Sequence, residues 1–205
     1  MPPTHGPGAR SLISMTSPSG FAMPKPVRIT GRSSSITNSF VNGIIPVIVP
    51  TEDEIKETLG VLGMDFPVCS YCGDTSTEWD HLRPLVIKQR PTGYISEIHN
   101  LVPSCGKCNQ SKGNKPWRTW MFSSARLSPL TRGISDIEER ASRLEAFERW
   151  GSPTQVNFEE LVGAELWAEH WMNHQRIIAL MREAEQTAAQ IRITVASTFR
   201  SPTRM

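Results

Sequence analysis

Two C-x-x-C pairs, Cys69/Cys72 and Cys105/Cys108, bracket an Asp80-His81 dipeptide and Asn100, and Asn109 directly follows the last cysteine. Thiolates aimed in pairs from tight turns suit a tetrahedral zinc ion. Four of them close its coordination sphere, so such a zinc is structural and holds no catalytic water. Its binding, on the order of 10 kcal/mol, lets a loop-rich segment fold with little core of its own. The spacing alone also permits two disulfides, or a redox C-x-x-C, but the redox reading needs only one pair and a thioredoxin-like setting that is absent. Inside the cage lie a carboxylate, an imidazole and two carboxamides. These types can hold a hard cation and move a proton, which points to phosphodiester hydrolysis.

The elements that must position these groups are short. Trp79-Asp80-His81 runs into Leu82–Ile87, a β-type segment that puts Asp80 and His81 on opposite faces or at a bend. Ser104 is placed to cap a helix through about Lys112, with Gly113 just past its end. Asn109 then sits within the helix and faces back toward the strands. The predicted unit is two strands and a helix clamped by zinc.

Upstream, residues 1–26 are rich in Pro, Gly and Ser and read as disordered. Residues 27–43 read as a polar loop whose hydroxyls, with Arg28 and Arg32, can reach phosphates. Ile44–Pro50 reads as a short extended edge segment, because its prolines cannot donate to a ladder. Thr51, followed by Glu52, Asp53 and Glu54, caps a helix over about 52–62 that ends near Gly63. Downstream, Trp117, Trp120, Met121 and Phe122 form an apolar patch expected to be core, and helices are expected over 136–150, 157–162 and 164–193. The last helix carries Leu166, Trp167, Trp171, Ile177, Ile178 and Met181 as its apolar face, with His170 and His174 on its surface. This divides the chain into a disordered start (1–26), an N-terminal extension (27–65), the zinc-clamped module (66–122) and a C-terminal helical region (123–205).

The 205 residues are 38% hydrophobic and 20% charged, which fits a globular chain. No apolar run reaches the roughly 18 residues of a membrane span, and no clean signal peptide stands at the start, so a cytoplasmic (intracellular) protein is expected. The net charge of +2 conceals a local bias. Between His81 and Arg118, seven bases face a single acid, Glu97. Positive charge over the candidate site favours a polyanionic partner.

The quoted segment resembles the HNH nucleases, whose ββα-metal fold carries a D-H, a central N, and a final H or N beside the second C-x-x-C. Those elements read WDHLRP, HNLVP and CGKCNQSKG here. The resemblance covers about a quarter of the chain. It implies an α+β fold, a small zinc-clamped ββα core with mostly α-helical flanks, and a DNA endonuclease of the kind found among restriction enzymes. It further implies His81 as general base and Asp80 and Asn109 as ligands of one catalytic Mg²⁺ or Mn²⁺. Asn100 would hold the loop that orients His81, and Arg83, Lys112 and Lys115 would contact phosphates. Asn109 stands where many members carry a last histidine, so oxygen-loving cations are expected over zinc or nickel. One site per chain suggests a homodimer or a nicking enzyme on double-stranded DNA. The alternative from another class is a zinc-ribbon nucleic-acid-binding module without catalysis; an RNA-directed nuclease is a third reading.

Overall fold

The computed structural model describes residues 24–75 and 78–199. The first 23 positions of the expected disordered start, and the tail beyond 199, lie outside the described residues. Seven α-helices and four short strands are described: α1 (Ser33–Asn42), α2 (Glu52–Val61), β1 (Glu78–His81), β2 (Val86–Ile87), β3 (Arg90–Pro91), β4 (Leu101–Ser104), α3 (Gly106–Lys112), α4 (Trp117–Met121), α5 (Ile137–Trp150), α6 (Phe158–Val162) and α7 (Ala164–Phe199). The α+β class expected from the sequence is what forms.

Strands β1 and β4 pair antiparallel, with Asp80 opposite Val102 and His81 opposite Leu101. The chain then turns directly into α3, so β1, β4 and α3 make the expected ββα unit. Cys105, one residue later than the expected Ser104, occupies the N-cap of α3, because Ser104 is still paired in β4. The β2–β3 hairpin is an insertion between the paired strands. Its two turn residues, Lys88 and Gln89, both have positive φ (49° and 64°).

Two apolar cores flank this unit. One gathers Leu62, Tyr71, Leu82, Val102, Trp117, Trp120, Met121, Leu144 and Phe147, so α2, α4 and α5 are packed onto the ββα unit. The aromatic patch after Lys115 is core, as expected, with Trp120 edge-on to Tyr71 at 5.2 Å between ring centroids. The second core joins Val41, Ile45, Leu85, Val86, Ile95, Phe158 and Trp171. Both cores draw on the ββα unit or its inserted loop, which fixes the flanking helices against the site from two sides.

Thr51 caps α2 as expected, its hydroxyl accepting from the Glu54 backbone N–H while Glu54 bonds back to the Thr51 N–H at 2.7 Å. Residues 33–42, expected as a loop, are helix α1. Ser, Thr and Asn are weak helix formers, but burial of Thr37 and Val41 against neighbouring elements overrides that preference. Thr37 Oγ1 bonds His174 Nε2 at 2.9 Å, and His170 Nε2 lies 3.1 Å from the Phe40 carbonyl oxygen. These histidines are therefore seam residues between α1 and α7 rather than surface ones. The buried face of α7 is correspondingly rotated from the expected one. Trp171 and His174 are buried in it, whereas Leu166 and Ile177 are exposed. No helix among the described residues is long and apolar enough to cross a membrane.

Candidate functional site

The cysteine cage joins the ends of the unit. Cys69 and Cys72 sit on a turn in which the Gly73 N–H donates to the Cys69 carbonyl at 2.8 Å. Gly73 has φ +77°, a conformation that side chains rarely adopt, so glycine suits this turn, and the Arg140 guanidinium packs against its Cα. Cys105 and Cys108 come from the start of α3. All four sulfurs lie within 4.8 Å of one another, and Cys72 Sγ is 3.8 Å from Cys105 Sγ. A tetrahedral ion with Zn–S bonds of about 2.3 Å separates its sulfurs by about 3.8 Å. The donor set and spacing therefore fit a structural zinc. Hydrogen bonds from Cys108 and Cys69 hold the Cys72 thiol well below its ordinary range, while those to Cys69 and Cys72 push Cys108 well above it. Sulfurs this close need a cation before all can ionise. Arg132 Nη1, from the loop before α5, lies 3.3 Å from Cys108 Sγ and adds positive charge beside the cage.

At the other end of β1, a cleft of about 270 Å³ is lined by Asp80, His81 and Asn109, together with Ser96, Asn38, Asn42 and Asn114 among others. The three groups the sequence put forward for chemistry thus share one opening. Their environments differ. Asp80 is buried, receives the Tyr71 hydroxyl at 2.6 Å on Oδ2, and lies against Lys112 Nζ (3.2 Å to Oδ1, 3.1 Å to Oδ2). Among the described residues Oδ1 has this one partner, which leaves a lone pair for a metal. Burial raises the Asp80 carboxyl and lowers the Lys112 ammonium, and the contact between them opposes both shifts. Lys112 also donates to the carbonyls of His81 (2.7 Å) and Gly113 (3.3 Å). Three donors meet three acceptors, the arrangement that an ammonium requires, so the geometry favours an ion pair.

His81 Nε2 is 2.6 Å from Ser96 Oγ. Burial first, and then the Lys112 charge, lower its pKa to about 4. The imidazole is consequently neutral at pH 7 and able to take a proton. Ser96 is itself fixed by the edge segment, since its N–H donates to the Pro46 carbonyl and its own carbonyl accepts from the Ile48 N–H. The short stretch around Val47 is therefore a wall of the site.

Asn100 is fully buried at the end of a 3-10 turn. Its Oδ1 accepts from the Arg83 N–H at 2.8 Å and its Nδ2 donates to the Arg83 carbonyl at 3.1 Å. It closes the loop just after His81 on both sides of one residue. Asn109 is half-buried on α3, and among the described residues its side-chain amide has no hydrogen-bond partner, so its oxygen is free to meet a cation.

Residues 69–115 match the family described as HNH endonuclease. This stretch is an HNH module. A 56-residue stretch of the chain is 39% identical to the CRISPR-associated endonuclease Cas9 of Corynebacterium diphtheriae, covering 25% of this chain and 5% of that protein. The chain thus matches only a small fraction of that curated relative's length. No solved structure matches. An HNH module implies nuclease activity on nucleic acid, and its flanking helices here are built onto it by both cores.

Two of the three phosphate contacts expected from the sequence need correction. Lys112 is buried and bonded to Asp80, so it cannot present its ammonium to DNA without breaking that pair. Arg83 donates through Nη2 to the Glu148 carbonyl at 3.0 Å and ties the HNH module to α5. Lys115 stays exposed, its Nζ donating to the carbonyls of Ser111 and Lys112 at the C-terminal end of α3. Three residues of the site gave little sequence signal. Tyr71 stands as a spacer between two cysteines, Ser96 meets His81 only through tertiary folding, and Arg132 reaches the cage from outside the HNH module.

Proposed function

We propose that the protein is a metal-dependent HNH endonuclease that hydrolyses phosphodiester bonds in DNA. The observation that carries this reading is that Asp80, His81 and Asn109 open into one cleft, with a neutral imidazole beside two oxygen donors. Asp80 Oδ1 and the Asn109 amide oxygen would hold a single Mg²⁺ or Mn²⁺, since carboxylate and carboxamide suit hard cations. When bound, that cation supplies charge stabilisation to the scissile phosphate and the leaving oxygen. His81 takes a proton from water, whose oxygen bonds to phosphorus as the P–O3′ bond breaks and the leaving 3′-oxygen takes a proton from solvent, giving 5′-phosphate and 3′-hydroxyl ends. Asn100 holds the loop on which His81 is presented. The Lys112 ammonium cancels the charge of Asp80, so the cation is drawn by Asp80 and the substrate phosphate together. Double-stranded DNA is the proposed substrate, each site cutting one strand, with a homodimer as the route to cutting both. An intracellular setting is proposed with it.

A second reading has an observation in its favour. Lys112 occupies Asp80 much as a cation would, and this suits a zinc-held module that binds nucleic acid without cutting it. Supercoiled plasmid incubated with zinc-loaded protein decides between them. Nicked or linear product that needs added Mg²⁺ or Mn²⁺, with 5′-phosphate ends, is the expected result. Folded, DNA-binding protein that leaves the plasmid intact with either cation establishes the second reading instead.

A further inference from the structure

With Lys112 buried against Asp80 and Arg83 tied to α5, Lys115 is the one of the three expected bases left exposed, a slender grip on phosphates for the HNH module. The structure offers another beside it. The cleft at His81 shares Asn38 and Asn114 with a larger hollow of about 630 Å³, and Asn114 Nδ2 donates to Asn38 Oδ1 at 3.1 Å across that junction. The larger hollow shares Lys88, Gln89, Ile178 and Arg182 with a third of about 240 Å³. The three form one continuous trough. It starts at the candidate catalytic groups, passes between α1 and the β2–β3 hairpin, and ends against α7.

The charge along the trough has one sign. Its lining carries Lys88, Arg90 and Arg182, and its lining acid is Asp80, already paired with Lys112. Arg90 lies over the Trp171 ring at 4.0 Å, and it is exposed, as are Lys88, Gln89 and Arg182. A second, independent observation concerns the hairpin turn. Lys88 and Gln89 both adopt positive φ, the conformation that Asn-Gly takes easily and that costs other residues about 1 kcal/mol each. The sequence keeps two long polar side chains at the trough instead of the residues that would relax the turn. Strain retained at such a place is a mark of use.

We propose that this trough is the substrate-binding groove, and that Lys88, Gln89 and Arg182 hold the DNA backbone leading away from the phosphate at His81. The assignment rests on the nuclease reading for its direction, but the groove itself is a binding site outside the HNH ligand set. Arg182 lies on α7, far beyond the HNH module in sequence. The C-terminal helix is accordingly part of the DNA-binding surface as well as a support.

The test is the binding of a labelled random-sequence duplex, by fluorescence anisotropy, to the full zinc-loaded chain without added divalent cation. Lys88→Gln/Arg182→Gln should weaken binding about tenfold. The slope of log affinity against log salt should fall by about 2, since each phosphate that a base neutralises adds about 0.9 to it. Lys56→Gln, on the exposed face of α2, should change neither. Lys88→Asn/Gln89→Gly should raise the melting temperature, by relaxing the turn, while still weakening binding. A merely structural hairpin would show the first effect alone. Binding unchanged in both double variants overturns the groove, as does parent protein that binds no duplex even at low salt. Binding that depends on Lys88 and Arg182 without plasmid cleavage sinks the nuclease reading and leaves the groove standing.

Discussion

Lys112 Nζ lies 3.1 Å from Asp80 Oδ2, with both side chains almost wholly out of solvent. The carboxylate most suited to a catalytic cation is thus already neutralised by the chain itself. Removing the ammonium leaves an unpaired buried charge, which costs about 3–5 kcal/mol. Lys112→Met should therefore lose stability on that order in denaturant unfolding, and added Mg²⁺ should restore more stability to the variant than to the parent. Equal Mg²⁺ effects on the two would show that Asp80 does not meet the cation.

Asn100 spans the backbone of Arg83 from both sides, and it is the residue that turns β1 into the site loop. Asn100→Ala strands a buried N–H and a carbonyl, each worth about 1–3 kcal/mol when unpaired. Stability should fall by about 3 kcal/mol, and cleavage should fall further than DNA binding does. A drop in binding that keeps step with cleavage would place Asn100 in the groove rather than behind His81.

Much of this arrangement was legible before folding. The cage, the ββα order and the Thr51 cap follow from local spacing and capping chemistry, and the loop-holding part of Asn100 from the resemblance to HNH nucleases. What was hidden depends on partners distant in sequence. Helix α1 was obscured because its Ser, Thr and Asn residues disfavour helix, and only packing against α7, through pairs such as Thr37 with His174, overrides them. The fates of Lys112 and Arg83 were hidden for the same reason. A count of charges marks where bases lie in the chain, whereas burial decides which of them reach solvent.

The His81 imidazole gives stability a definite pH dependence. Its folded pKa is lowered to about 4, below the ordinary value of 6.5, so the unfolded chain binds the extra proton first as pH falls. Its contribution is fully present above about pH 6.5 and is lost progressively down to about pH 4, amounting to at most about 3 kcal/mol. Unfolding free energies measured across this window should rise with pH in the parent and do so less in His81→Phe. Parallel curves would mean that His81 titrates as an exposed histidine does.

Zinc should hold the two ends of the HNH module together. Cys69→Ser or Cys105→Ser should leave it unfolded, because the metal contributes on the order of 10 kcal/mol in modules of this kind. Arg132→Gln keeps all four thiolates but removes the positive charge at Cys108 Sγ. It should release zinc to a chelator several-fold faster, with the fold retained by circular dichroism. Unchanged release would make Arg132 a bystander.

The most direct measurement of the central claim is single-turnover cleavage of plasmid DNA by His81→Ala, with Mg²⁺ at saturation and DNA binding recorded in parallel. General-base catalysis of this type contributes about 10²–10⁴-fold. A rate loss of that size, with binding and zinc content unchanged, is the outcome expected if His81 activates the attacking water. Cleavage within a few-fold of the parent would contradict it.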